Sequence, residues 1–304
     1  MIEHTQLSFL ETEMRELLVI ADQNGNRNPA FLHALEIAKN TGAKIEFVGF
    51  VHAAGVDSSE ILTPSEKRKV HHKFIDEKQA EMDEFLSGID LAGVKLNVDV
   101  VWERSFERWV TARCNQKSFD MIFKTGHRSE TLLHVPSDWQ LMRHSPDPVM
   151  IVGDKPWKEG GIILAALDLS SSSEEGLKLN EEILRYSFTL AEATNSKVHA
   201  CYSISLPSAL ADFDFFDSAS YEEKMKKSID PVISKLIKDG GLDKDSLHLL
   251  SGKPAAEILK ISEKIDSDVI VMGNKTRTSL RGRLLGNTAR TVLTSVNADI
   301  VVVK

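Results

Sequence analysis

The sequence predicts an α/β protein made of two tandem Rossmann-like domains, each a five-stranded parallel sheet flanked by helices. Three observations predict this. Apolar runs such as Asp268-Val269-Ile270-Val271-Met272 are short and continuous, as strands buried on both faces require. They alternate with segments of helical periodicity, which is the signature of βαβ units with right-handed crossovers. The whole series then occurs twice. Asp22 and Asp168 follow the first strands at an offset of 146, Asp120 and Asp268 open the fourth strands at 148, and Val149 and Ile300 in the last strands differ by 151.

In the first half, residues 16–22 form a strand ending in Asp22, and Asn28-Pro29 supplies an N-cap followed by proline at the first helical position. Residues 44–51 are the second strand. A long helix from Pro64 carries Val70, Phe74, Met82, Phe85 and Ile89 near helical spacing, and residues 96–101 are the third strand. Ser105 is placed to cap a helix whose buried face is Phe106, Trp109, Val110 and Cys114. Residues 120–124, a short helix from Ser137, and residues 148–152 complete the half.

Residues 153–160 are polar, bracketed by glycine, and read as a linker between domains at 15–153 and 161–304. The second half repeats the order. Its strands lie at 162–167, 198–202, 247–250, 268–272 and 300–303, and its helices at 177–193, 221–238, from Pro254, and from about Asn287. The two last strands, near 149–152 and 300–303, are short, apolar edges, and exposed apolar edges invite pairing. The halves are therefore expected to pair within one chain across a pseudo-twofold axis, with a homodimer as the open alternative.

Composition bounds the partners. A net charge of −8 and a pI near 5.7 disfavour nucleic acid and anionic membranes, because phosphates would on average be repelled. Trp102 and Trp109, with Arg104 and Arg108 between them, do not change that expectation. Apolar runs such as 162–167 are far too short to span a bilayer, and the first residues lack the basic and apolar regions of a secretory signal. Cys114 and Cys201 lie one in each half without CxxC spacing, which suits buried thiols in a reducing compartment. A cytoplasmic protein is expected.

The best candidate ligand site joins the strand at 268–272 to the helix near Asn287. Its loop contains Gly273, Lys275, Arg277, Arg281, Arg283 and Gly286, placed where the unpaired N–H groups of a helix start would point. The three arginines are candidates to clamp a pyrophosphate. In the first half, Val135 and Pro136 occupy the places of Gly286 and Asn287. Valine obstructs close backbone approach and proline removes a donor, so one site per chain is expected, in the second half.

The run Gly273-x-x-Thr276-x9-Gly286-Asn287, within two copies of a five-strand α/β unit, resembles the universal stress protein family in its tandem form. The resemblance covers the chain from about Arg15. The family's loop is written G-x2-G-x9-G-(S/T) and binds the phosphates of ATP. Gly286-Asn287-Thr288-Ala289 and Pro136-Ser137-Asp138-Trp139-Gln140-Leu141 add local matches to a tandem subgroup. The resemblance implies a stress-response binding and signalling protein holding ATP or another nucleotide-type phosphate ligand, with Mg2+ compatible beside it. Carried over by position, the site is Asp168, Gly273, Thr276, Arg277, Arg283, Gly286, Asn287 and Thr288. Thr276 replaces a glycine of the pattern and Asn287 a hydroxyl residue, so Asn287 is expected to cap the helix and Thr288 to restore the hydroxyl.

No catalytic set accompanies the loop. The SGGxDS, HIGH, GxxxxGK[ST] and GxSxG signatures are absent, which leaves slow ATP hydrolysis as the most turnover expected. A ligand-free pairing scaffold is the other alternative. No metal site is expected from the ten histidines, and His71 and His72 are expected on a solvated helix face. The connector Ala211-Asp212-Phe213-Asp214-Phe215-Phe216-Asp217 serves either as a lid over a nucleoside or apolar part of a ligand, or as a contact with the other half or a subunit.

Overall fold

The computed structural model describes residues 14–23, 27–126, 137–171, 173–205, 218–238, 241–274 and 286–304. The chain divides into two compact units, one of Glu13–Pro156 and one comprising Trp157–Lys304. In the N-terminal unit the elements are β1 (Glu16–Ile20), α1 (Pro29–Thr41), β2 (Lys44–Val51), α2 (Pro64–Ser87), β3 (Leu96–Trp102), α3 (Phe106–Gln116), β4 (Met121–Thr125), α4 (Ser137–His144) and β5 (Val149–Val152). The C-terminal unit has β6 (Ile162–Ala166), α5 (Glu174–Thr194), β7 (Lys197–Ile204), α6 (Ser218–Lys238), β8 (Leu247–Ser251), α7 (Pro254–Ile265), β9 (Val269–Gly273), α8 (Asn287–Ser295) and β10 (Asp299–Val303).

Within each unit the strands run parallel and follow one order. It is β3-β2-β1-β4-β5 in the first unit and β8-β7-β6-β9-β10 in the second. The registers repeat pair by pair. Leu17 opposite Met121 recurs as Ile163 opposite Val269, and Ile122 opposite Val149 recurs as Ile270 opposite Ile300. The central strands are buried along their length, as the continuous apolar runs demanded: Leu17, Leu18 and Val19 in β1 and Ile270 and Val271 in β9 are inaccessible to solvent. In each unit the strand order reverses between the first and fourth strands, and the crevice beyond their carboxyl ends is where a ligand fits such a sheet.

Carboxylates tie these central pairs together. Asp120 Oδ2 accepts the N–H groups of Arg15 and Glu16 at 2.7 and 2.9 Å, and Asp268 Oδ2 accepts that of Ile162 at 3.2 Å. A Cβ built on Gly161 would lie 2.1 Å from Asp268 Oδ2, so glycine is needed there for the close approach.

Several local expectations are revised. Asn28 and Ser105 do sit at helix N-caps, yet neither side chain caps its helix. Asn28 Oδ1 instead accepts from the Asp22 N–H at 2.8 Å. Thr63 and Glu66 form the reciprocal capping box at the start of α2. Phe74 is 38% exposed and meets Trp102 edge-on, because the outward side of α2 lies over the end of β3. His71 is not merely solvated. Its Nε2 lies 2.8 Å from Asp57 Oδ1 and its ring stacks on Trp102, whose indole N–H also bonds Asp57. Both cysteines are buried, and neither is in a disulfide.

Candidate functional site

A cavity of about 350 Å³ opens at the carboxyl ends of the β6, β7 and β9 strands. Its lining brings together Asp168, Gly273, Gly286, Asn287 and Thr288, residues drawn from three separate segments of the sequence. Thr276, Arg277 and Arg283, the remaining predicted site residues, lie outside the described residues, as do Lys275, Arg281, the 211–217 connector, Val135 and Pro136.

Asp168 stands two residues past the end of β6 and is fixed by Asn180 of α5. The Asp168 N–H donates to Asn180 Oδ1 at 3.0 Å, and Asn180 Nδ2 donates back to the Asp168 carbonyl at 2.9 Å. Ser170 Oγ donates to the carboxylate at 2.7 Å. Tyr202 of β7 hydrogen-bonds Ser170; burial and the nearby Asp168 charge push its phenol up despite that bond. The neighbouring Cys201 thiol is pushed up to about 12 by burial alone. The chain Asp168–Ser170–Tyr202 thus presents one carboxylate in a wall that is otherwise largely apolar, with Met272, Ile258 and Met225 among the lining residues.

The two glycines differ in what they do. A Cβ on Gly273 would lie 2.6 Å from Leu179 Cδ2, so this glycine is needed for α5 to pack onto the end of β9. A Cβ on Gly286 would meet nothing within 4 Å. Nothing in the described protein requires glycine there, whereas a ligand approaching the backbone would.

Gly286 also corrects the assignment of the cap. It is extended, at φ −61° and ψ 150°, and its carbonyl accepts from Arg290 N–H at 3.0 Å, which makes it the N-cap of α8. Asn287 is already helical and Thr288 is the second helical residue, so neither hydroxyl nor amide closes the helix start. Among the described residues no side chain caps α8, and no acidic residue stands in its first turn.

The corresponding positions of the first unit carry charged side chains instead. The fourth residue of β4 is Lys124, where the fourth residue of β9 is Met272. Its ammonium donates to the Thr125 carbonyl at 2.9 Å and pairs with Asp138 Oδ1 at 2.7 Å. Asp138 is the second residue of α4, as Thr288 is of α8. At the end of β1, Lys78 of α2, only 6% exposed, donates to the carbonyls of Asp22 and Gln23 at 2.6 and 3.3 Å and pairs with Glu81 at 2.6 Å. These contacts were not predicted. They link residues more than fifty positions apart or depend on which helix face turns inward.

Comparison with known proteins agrees with the duplicated fold. The model of the universal stress protein family matches residues 13–153 and again 161–304. The chain is 28% identical over 297 residues to universal stress protein E of Escherichia coli (strain K12), covering 95% of this chain and 94% of that one. It is 24% identical over 302 residues to a universal stress protein E homolog of Haemophilus influenzae, covering 96% and 98%. Among solved structures, a functionally unknown protein of Pseudomonas aeruginosa PAO1 superposes with a TM-score of 0.70 at 22% identity, over 96% of this chain and 92% of that one. A universal stress protein from Archaeoglobus fulgidus superposes with a TM-score of 0.61 at 18% identity, over 95% and 96%. With the family model matched in both halves, the chain belongs to the universal stress protein family.

Proposed function

We propose that this chain is a cytoplasmic stress-response binding protein that holds a nucleotide-type phosphate ligand, ATP or a near analogue, in its C-terminal unit. One contrast carries the reading. The α4 helix has a carboxylate in its first turn, paired with Lys124, whereas α8 has no acid in its first turn and no side-chain cap among the described residues, on the wall of an open cavity. Unpaired N–H groups and the helix dipole favour an anion at such a start.

In this reading the phosphates lie against the first turn of α8, where Gly286 allows the backbone to come close. Asp168 accepts hydroxyl hydrogens of the sugar, and the apolar lining around Met272 and Ile258 takes the base. Thr276, Arg277 and Arg283 are proposed to complete the phosphate side. Asp168 is the sole carboxylate among the described lining residues, so an accompanying Mg2+ would be held chiefly through the phosphates. The described titratable lining groups are Asp168, Cys201, Tyr202 and Tyr221. No helix among the described residues is long and apolar enough to cross a membrane.

Native followed by denaturing mass spectrometry of the purified chain tests whether a phosphate-bearing ligand copurifies. Calorimetry with ATP then compares wild type with Gly286→Val. The variant should fold normally and bind at least about tenfold more weakly, a loss of roughly 1.4 kcal/mol. Unchanged affinity would remove Gly286 and the start of α8 from the site.

A further inference from the structure

His199 of β7 and His248 of β8 face each other across the outermost strand pair of the C-terminal unit. Nδ1 of His199 lies 2.9 Å from Nε2 of His248, and the rings are 15° from parallel with centroids 5.2 Å apart. That centroid separation is what the N···N distance plus the two ring radii would give. The two nitrogens therefore lie on the line joining the rings, and their in-plane lone-pair directions point at each other. A metal shared at tetrahedral geometry would need those directions to converge at an angle. A single N–H···N bond needs them collinear, as they are.

Only one proton fits between the facing nitrogens. With one imidazole donating and the other accepting, the pair holds two neutral rings, and it tolerates one added proton on an outward nitrogen. A second added proton would put N–H against N–H and two positive charges side by side, so the contact must open.

The surroundings oppose added protons. Burial pushes His199 below its ordinary value, helped by Lys197 and resisted by Asp243. Burial likewise pushes His248 down, helped by His199 and by Lys264 of α7.

The pair does not itself line the cavity but lies next to the stretch of β7 that does. Cys201, in register with His248, and Tyr202 and Ser203 beyond it line that cavity. Past the end of β8, Ser203 Oγ donates to the Gly252 carbonyl at 2.9 Å, and Pro254 lines the cavity again. The β8 strand is the less protected partner, partly accessible from Leu247 to Leu250 and exposed at Ser251. Besides its backbone ladder to β7, it has the imidazole pair as a clasp between side chains.

We propose that His199 and His248 form a proton-reading clasp between β7 and β8, beside the cavity, closed by one shared proton and opened by acid when both rings become charged. The inference concerns the ligand-free protein and does not depend on which ligand the cavity takes.

The experiment is a pH titration of the histidine side chains by NMR in the full-length, ligand-free chain, with hydrogen exchange of the β8 amides measured over the same range. Wild type should show two coupled steps for His199 and His248, separated by about one pH unit or more. Through the lower step, β8 exchange should rise about tenfold beyond its intrinsic pH dependence, as local opening requires. In His248→Gln, His199 should titrate in a single step and the additional exchange should vanish. Independent, unshifted single-proton curves in wild type would overturn the pair. Wild-type β8 exchange that follows only the intrinsic pH dependence would overturn the clasp, and these wild-type outcomes decide the question even if the variant does not fold.

Discussion

Lys124 Nζ lies 2.7 Å from Asp138 Oδ1 with both side chains largely buried, at the place in the first unit that corresponds to the cavity in the second. Lys124 also lies over the Phe106 ring, 5.5 Å from its centroid. The first unit thus holds an internal ion pair at the strand and helix positions where the second has Met272 and Thr288. Removing one partner of a buried pair strands the other charge and typically costs about 3–5 kcal/mol. Lys124→Met and Asp138→Thr, each importing the residue of the second unit, should therefore both destabilise the chain strongly. The double variant should recover much of that loss. Denaturant unfolding of the four proteins measures the coupling, and purely additive losses would show that the two charges do not depend on each other.

The glycines of the phosphate loop should separate by what substitution damages. Gly273→Ala places a methyl group against Leu179 and should lower stability by about 1–3 kcal/mol through overpacking. Gly286→Ala meets open space at a negative φ and should cost only the modest capping loss of an N-cap position, about 0.5–1 kcal/mol, while weakening a phosphate ligand. Thermal melts and ATP titrations of the two variants check the contrast. A large stability loss in Gly286→Ala would mean that this glycine serves the fold.

The duplication was legible because strand spacing and strand-end aspartates survive in both copies, and the registers of β1 with β4 and of β6 with β9 repeat as those offsets required. Gly286 was legible through its family pattern, but its role as the cap was not: Asn287 is the better capping residue, and only the backbone angles decide which residue is already helical. Asn28 and Asn180 bond equivalent aspartates, yet they stand six and twelve residues beyond them, so no fixed spacing marks the pair. The His199–His248 contact joins residues 49 apart through the register of β7 and β8. A search for His-x-His spacing finds contacts along one chain segment, and this contact runs between two.

Glu46 of β2 predicts a specific acid response. Burial raises its carboxyl, but Arg113 and Lys117 outweigh burial and hold it below the ordinary 4.5. Arg113 grips both oxygens, Nε to Oε1 at 2.8 Å and Nη2 to Oε2 at 2.9 Å. A carboxylate with a depressed folded pKa contributes stability that is fully present above the unfolded value and is lost as pH falls through the folded one. Glu46→Gln should therefore cost about 1.5–3 kcal/mol near neutral pH, as the loss of a charge-assisted hydrogen bond does. The difference from wild type should shrink below pH 4.5. Urea midpoints at pH 7 and pH 3.5 test the sign, and a gap that widens in acid would contradict it.

Cys201 lies on the cavity wall but should behave as an inert thiol. The attacking species in alkylation is the thiolate, and burial pushes this group up to about 12, so almost none is ionised at pH 8. The side chain is also only 1% exposed, which adds a steric barrier to the electrostatic one. Native protein treated with iodoacetamide at pH 8 should leave Cys201 unmodified, and the same treatment in denaturant should label it fully. Peptide mass mapping distinguishes it from Cys114. Rapid labelling of Cys201 in the native state would require the β7 wall to open on its own, and the residues that border it, Tyr202 and Ser203, would then no longer form a fixed surface for a ligand.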